Sequence, residues 1–502
     1  MNHSLRSTHF REACLLAAGL LVSSASCGSS NSGGRLGSGG TGLATGGASA
    51  SGGATVGSGS GGNGNGTPGS GGQTSSGSGG QTSSGSGGQT SSGSGGVTAP
   101  GGNAGGAVAT TASGGAAAAA GAAGAAGTTG AAAGGGPGSA PFPAACVTPA
   151  VTGSATRPLL TDASAECFTI KKYLAQAGPI GALVTDNWDP SAGLPDAATL
   201  TPTFTVAADG SGTHTTVQAA VTAAKAAGGT ARAFILVTPG TYRELVCVDG
   251  SVPMTVYGAG KDPTQVTIAF DNYNGKTVDP LKTNACSLPT TATYGTSGSS
   301  TFFVKSAGFQ AMNLTIANDF DEAALTTNIQ AVALTVQGDQ GVFQNVRLLG
   351  NQDTLQIKSA AVTTIARAYF KNSTIAGDTD FIFGRAAAVF DGCTINYVAG
   401  RKTNSTYFAP STETLHPYGF LIINSMLTAD PGITGTTYLG RAWDDSSGTM
   451  PNGQGVIRNS QIGAQIVVAA PWAPAATSNR AFSPSGNRLY EYKNTGPGAA
   501  PP

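Results

Sequence analysis

This 502-residue sequence has little charge: 25 Lys and Arg against 25 Asp and Glu, for no net charge. Such a balance leaves no electrostatic footprint for a nucleic acid. Histidine is scarcer, with four in the chain. Only His214 and His416 lie in sequence of ordinary globular composition, so a Ser-His-Asp hydrolase is poorly supported. No CxxC pair or His/Cys cluster suggests a metal, and no cofactor is expected. Long apolar runs are missing too. The stretch Leu15–Val22 is too short to span a bilayer.

That short run does have a reading. Arg6 and Arg11 precede it, and the small residues Ser23-Ser24-Ala25-Ser26 lead from it to Cys27. Basic, apolar, then small is the order of a secretory signal, here residues 1–27. A cysteine after small residues is an expected point of lipid attachment, so the protein is expected to be exported, either held at an outer membrane through Cys27 or, with ordinary cleavage, secreted. Residues 28–141 are rich in Gly, Ser, Ala and Thr, with the octad Gly-Ser-Gly-Gly-Gln-Thr-Ser-Ser recurring from Gly69. Such sequence cannot bury a core and is expected to be a flexible tether.

Residues 142–200 read as a lead-in segment with one short helix from Thr161 to Gln176. A clearer helix follows Thr215-Thr216-Val217-Gln218, a capping-box pattern. Val217, Ala220, Val221 and Ala224 give it one apolar stripe, and Gly228-Gly229 ends it. It is the expected cover for the open end of a solenoid. Five cysteines follow the tether; proximity alone pairs Cys146 with Cys167 and Cys247 with Cys286, leaving Cys393 as a buried thiol.

The solenoid itself, residues 201–498, is read from an internal repeat: apolar, any residue, Asn or Gly, two of any residue, apolar. It runs through Phe343/Asn345/Leu348, Phe370/Asn372/Ile375, Phe390/Gly392/Ile395, Ile422/Asn424/Leu427 and Ile457/Asn459/Ile462, with a weaker copy at Ala311/Asn313/Ile316. Asn and Gly both tolerate positive φ, so the shared position predicts a left-handed bend between two short strands. Irregular spacing between copies suits coils with loops of varying length. The predicted fold is all-β, a right-handed parallel β-helix with an N-terminal capping helix.

Phase within the repeat carries the chemistry. Asp353 lies eight residues after Asn345, and Asp380 eight after Asn372 (353 − 345 and 380 − 372). Equal phase on stacked coils makes them vertical neighbours, about 4.8 Å apart along the sheet. Two carboxyls that close do not both ionise easily. One protonated and one ionised are a general acid and a nucleophile. Aspartate is common at bends, so either alone would mean little; the two in register, with Gln352 adjacent, mean more. Gln330 lies 17 after Asn313 and Arg441 17 after Asn424 (330 − 313 and 441 − 424), a phase that would put both on a comparable face.

The motifs Gln352-Asp353-Thr354-Leu355 and Asp380-Phe381-Ile382-Phe383-Gly384 are the most specific of a longer set. Gly240-Thr241-Tyr242-Arg243-Glu244, Gln330-Ala331-Val332-Ala333-Leu334, Leu439-Gly440-Arg441-Ala442-Trp443 and Tyr490–Gly498 follow the same order. With these the chain after residue 200 resembles the pectinesterases, and its lead-in resembles that of their lipid-anchored bacterial branch. The resemblance implies hydrolysis of methyl esters in pectin by a monomer without metal or cofactor. It implies that Asp380 is the nucleophile, Asp353 the acid and base, Gln330 and Gln352 the oxyanion donors, Arg441 the partner of Asp380, and Trp443 a face for a sugar ring. Arg441 and Gln330 would also contact substrate.

Three departures from the family pattern stand out. Ala442 replaces a usual proline, Arg385 follows Gly384 where asparagine is commoner, and extra residues lie near Lys358–Ala366. Arg385 and Arg401 are candidates to pair with uronate carboxylates. Two other readings remain open: a hydrolase of acyl thioesters or other esters on the same scaffold, and a non-catalytic surface β-helix that binds polysaccharide.

Overall fold

The repeat positions turn the chain as their chemistry suggests: Asn313, Asn345, Asn372, Asn424 and Asn459 have φ between 49° and 56°, and Gly392 has φ 66°. Each such bend joins two short strands that belong to different sheets. The structure, a computed structural model, describes residues 144–501 apart from 181, 324, 403 and 446–451. The expected signal, the lipidated Cys27 and the tether over 28–141 lie outside the described residues.

Stacking the coils gives sheets of twelve, eight and seven strands. Pairing is parallel throughout, except for the hairpin Val151–Ser154/Arg157–Leu160 and the small pair Gln176–Ala177/Val184–Thr185. The fold is therefore the expected right-handed parallel β-helix. Its interior is built from side-chain columns at coil spacing: Phe343, Phe370 and Phe390 stack with centroids 4.7 and 4.9 Å apart and nearly parallel rings. Leu348, Ile375, Ile395, Leu427 and Ile462 are buried on the other side of the bends. Polar ladders repeat at the same interval, as where Asn345 Nδ2 donates to Asn313 Oδ1 at 2.8 Å.

The cap helix spans Val217–Ala227 and buries Val217, Ala220, Val221 and Ala224 as expected. Its N-terminus differs from the capping-box reading. Thr216, not Thr215, is the N-cap and accepts from Ala219 N. Gln218 reaches instead to the backbone of Cys247. The carboxylate of Glu244 accepts from Val217 N and Gln218 N at 2.8 Å each, supplying the first-turn acceptor the box would have provided.

The lead-in departs from its expected single helix. Over Thr161–Gln176 two helices form, Asp162–Ala165 and Ile170–Ala175, started by Thr161 and Thr169, and a further short one spans Ala144–Val147. The break falls at Cys167, which is bonded to Cys146. Cys247–Cys286 is bonded as well, and Cys393 is buried. The segment lies on the outer face of the twelve-stranded sheet, where Phe168, Tyr173 and Leu174 pack with Tyr369, Tyr418, Leu421 and Tyr490. Arg157 forms a buried bidentate pair with Glu491 (2.7 and 2.8 Å), and Arg367 pairs with both Asp186 and Asp339. The extra residues near Lys358–Ala366 have a role here: Ile180 N donates to Thr363 O and Ile365 N to Gly178 O, docking the lead-in on that loop.

Candidate active site

The seven-stranded sheet contains Leu334–Val336, Leu355–Ile357, Ile382–Gly384, Thr406–Pro410 and Tyr438–Gly440 on successive coils. Asp353 and Asp380 stand just before two of these strands rather than within them. Leu355 pairs with Ile382 and Gln352 bridges Thr379, so the two aspartates share one register on adjacent coils. Both hold positive φ, 67° at Asp353 and 45° at Asp380. A left-handed conformation at non-glycine residues costs about 1–3 kcal/mol each and collects at functional sites. Gly377 permits the tight stacking beneath them, since a Cβ there would lie 2.6 Å from Asn351 O.

Both aspartates are largely buried, 8 % and 9 % exposed. Burial raises the Asp353 carboxyl well above the usual aspartate range, and the charge of Asp380 raises it further, against a smaller opposing pull from Arg441. Asp380 instead has a cation: Arg441 Nε donates to its Oδ1 at 2.9 Å and Nη2 to its Oδ2 at 2.5 Å. Thr406, at the same register on the next coil, donates its hydroxyl to Asp380 Oδ1. Sequence reasoning missed Thr406; its only signal was its place in register, legible once the strand pairing is known.

Arg441 corrects the phase argument. Tyr438 pairs with Thr406 and Phe408 with both Ile382 and Gly440, which puts Arg441 level with Phe383, three residues beyond Asp380. Its side chain spans that offset. Gln330 lies near Gln352, since Ala331 N donates to Gln352 O at 3.1 Å. Gln330 and Arg441 thus stand at different registers, because the loops between Asn424 and Arg441 differ in length from those after Asn313.

The two glutamines have their carbonyl oxygens occupied. Asn274 Nδ2 donates to Gln330 Oε1 at 2.9 Å, and Arg401 Nη2 to Gln352 Oε1 at 3.2 Å. In each amide the contact is made through the oxygen, the acceptor end of the group. Trp443 is half-buried and packs on Phe383, with centroids 5.8 Å apart, beside Val332 and Ala409.

The remaining candidates separate cleanly. Arg385 is paired with Asp445 and Glu413, and Arg401 with Glu322, so both are engaged within the protein rather than held free for a uronate. His416 is buried and its imidazole is pushed down to about 3 by desolvation. His214 packs edge-on against Phe204. Among the described residues no group of His, Cys, Asp and Glu is arranged to hold a metal ion.

The Pectinesterase family model matches residues 203–501. A pectinesterase of Ralstonia nicotianae is 47 % identical over 371 residues, 70 % of this chain and 93 % of that protein. A protein of Escherichia coli named putative acyl-CoA thioester hydrolase YbhC is 33 % identical over 393 residues, 69 % of this chain and 90 % of that one. The structure of rice weevil pectin methyl esterase superposes with a TM-score of 0.60 at 33 % identity, covering 70 % of this chain and 99 % of that one. The aspartate pair, the glutamines and the β-helix that carries them thus sit in a chain that belongs to the pectinesterase family of carboxylic ester hydrolases.

Proposed function

We propose that this protein removes methyl esters from pectin with an aspartate nucleophile. The observation that carries the reading is the aspartate pair in register, one member held by Arg441 and the other raised by burial. Asp380 attacks the ester carbonyl carbon, and the carbonyl electron pair moves onto oxygen. Gln330 and Gln352 donate to that oxyanion; one such donor is worth roughly 3–4 kcal/mol. On collapse the C–O bond to methanol breaks, and Asp353 gives its proton to the departing oxygen. Asp353, now ionised, takes a proton from water as it attacks the acyl-enzyme. The products are a galacturonate carboxyl and free Asp380.

Trp443 offers an apolar face to a sugar ring beside the cleft. Export and tethering belong to the same proposal: the sequence before residue 28 has the order of a secretory signal ending in Cys27. The two disulfides fit an oxidising compartment.

A second reading is favoured by the relative named a putative acyl-CoA thioester hydrolase. The same pair would attack a thioester. Measuring methanol release from highly methylated pectin alongside thiol release from a long-chain acyl-CoA separates the two. Methanol release without thiol release supports the pectin reading, and the reverse sinks it.

A further inference from the structure

Beneath the cleft lies a buried acidic pair that the mechanism above does not use. Glu322 is 5 % exposed and Asp378 fully buried, and neither carboxyl has a hydrogen-bond donor from the described residues. Burial pushes the Glu322 carboxyl up to about 8, and Asp378 beside it adds to the rise while Arg401 opposes it. Arg401 Nε stands 3.4 Å from Glu322 Oε1, and its Nη2 donates to Gln352 Oε1.

We propose that Arg401, anchored by Glu322, is a positioning residue that fixes the Gln352 amide with its NH2 towards the oxyanion. A guanidinium has donors only. The atom of Gln352 that meets it must therefore be the carbonyl oxygen, and the amide cannot turn over without setting N–H against N–H. A free glutamine would spend part of its time presenting oxygen to the oxyanion, which repels it. Asn274 makes the matching contact with Gln330 Oε1, but an asparagine amide can itself turn over, so only the Arg401 contact fixes a direction by chemistry. Glu322 engages the guanidinium at Nε and leaves Nη2 for Gln352. This inference rests on the proposed oxyanion role of Gln352.

The test is a double-mutant cycle on the full chain. Arg401→Met is expected to lower kcat roughly 10–100-fold, the scale of a misplaced donor, with KM within about twofold. Arg401→Lys, which keeps a cation for Glu322, is expected to keep the folded state and recover part of kcat. In a Gln352→Ala background Arg401→Met should cost no further activity. A full additional loss there, or a raised KM with kcat unchanged, would show Arg401 acting on substrate and overturn the proposal. The cycle can be run on methylated pectin or an acyl thioester. A wild type that cleaves only the thioester defeats the pectin reading while the cycle still decides on Arg401. Neutron diffraction of deuterium-exchanged protein decides without turnover: deuterium on the cleft side of the Gln352 amide supports the proposal, and oxygen there overturns it.

Discussion

Leu355 and Ile382 pair on neighbouring coils, and this pairing sets Asp353 directly over Asp380. One interstrand spacing of about 4.8 Å separates an acid raised by burial from a carboxylate bound to Arg441. The pH profile should report that inequality. Asp353 must carry its proton when methanol leaves, so kcat/KM should fall on the alkaline side as it ionises. Arg441 favours the ionised form of Asp353. Arg441→Gln should therefore move the alkaline limb upwards, besides slowing the reaction. A limb that stays in place would assign it to another group.

The same raised carboxyl should weaken the fold. Its value in the folded protein lies above that in the unfolded chain, so stability falls as pH rises from the ordinary aspartate range through the folded value. Asp353→Asn removes the effect. The variant should melt roughly 2–4 °C higher than wild type near neutral pH, with the gap closing below about pH 4, where Asp353 is protonated in both states. Calorimetry across that range checks both the sign and the window.

Removing one oxyanion donor should be costly and selective. Gln352→Ala and Gln330→Ala are each expected to lower kcat roughly 10²–10³-fold with small changes in KM. Initial-rate kinetics with methylated pectin would show it; a change confined to KM would make these residues mere substrate contacts.

The bend positions allow a test free of chemistry. Asn372 holds φ 49°. Asn372→Ala should cost about 1–2 kcal/mol, the strain of a left-handed Cβ, whereas Asn372→Gly should change stability little. Urea unfolding of the two variants measures the difference.

How much of this was legible in sequence depends on the range of the cause. The bends at Asn345 and Asn372 were legible because one residue's φ preference acts locally, and equal phase then carried Asp353 and Asp380 into register. Thr406 and the Glu322–Asp378–Arg401 group were not, because intervening loops of irregular length hide which coil they join. Arg441 does meet Asp380, but its phase argument failed: its reach, not its register, brings it there. The single short helix expected from Thr161 to Gln176 broke because Thr169 caps a second helix and Cys167 is tied to Cys146. Gln218 left its capping role because Cys247 offered both a donor and an acceptor.

The central claim is that two stacked aspartates perform one ester hydrolysis. Its most direct test is methanol release from highly methylated pectin by the purified full chain, Asp380→Asn and Asp353→Asn side by side, each shown to be folded. Wild type should release methanol, and each variant should lose roughly 10³-fold or more. Methanol release at the wild-type rate by either variant would contradict the account.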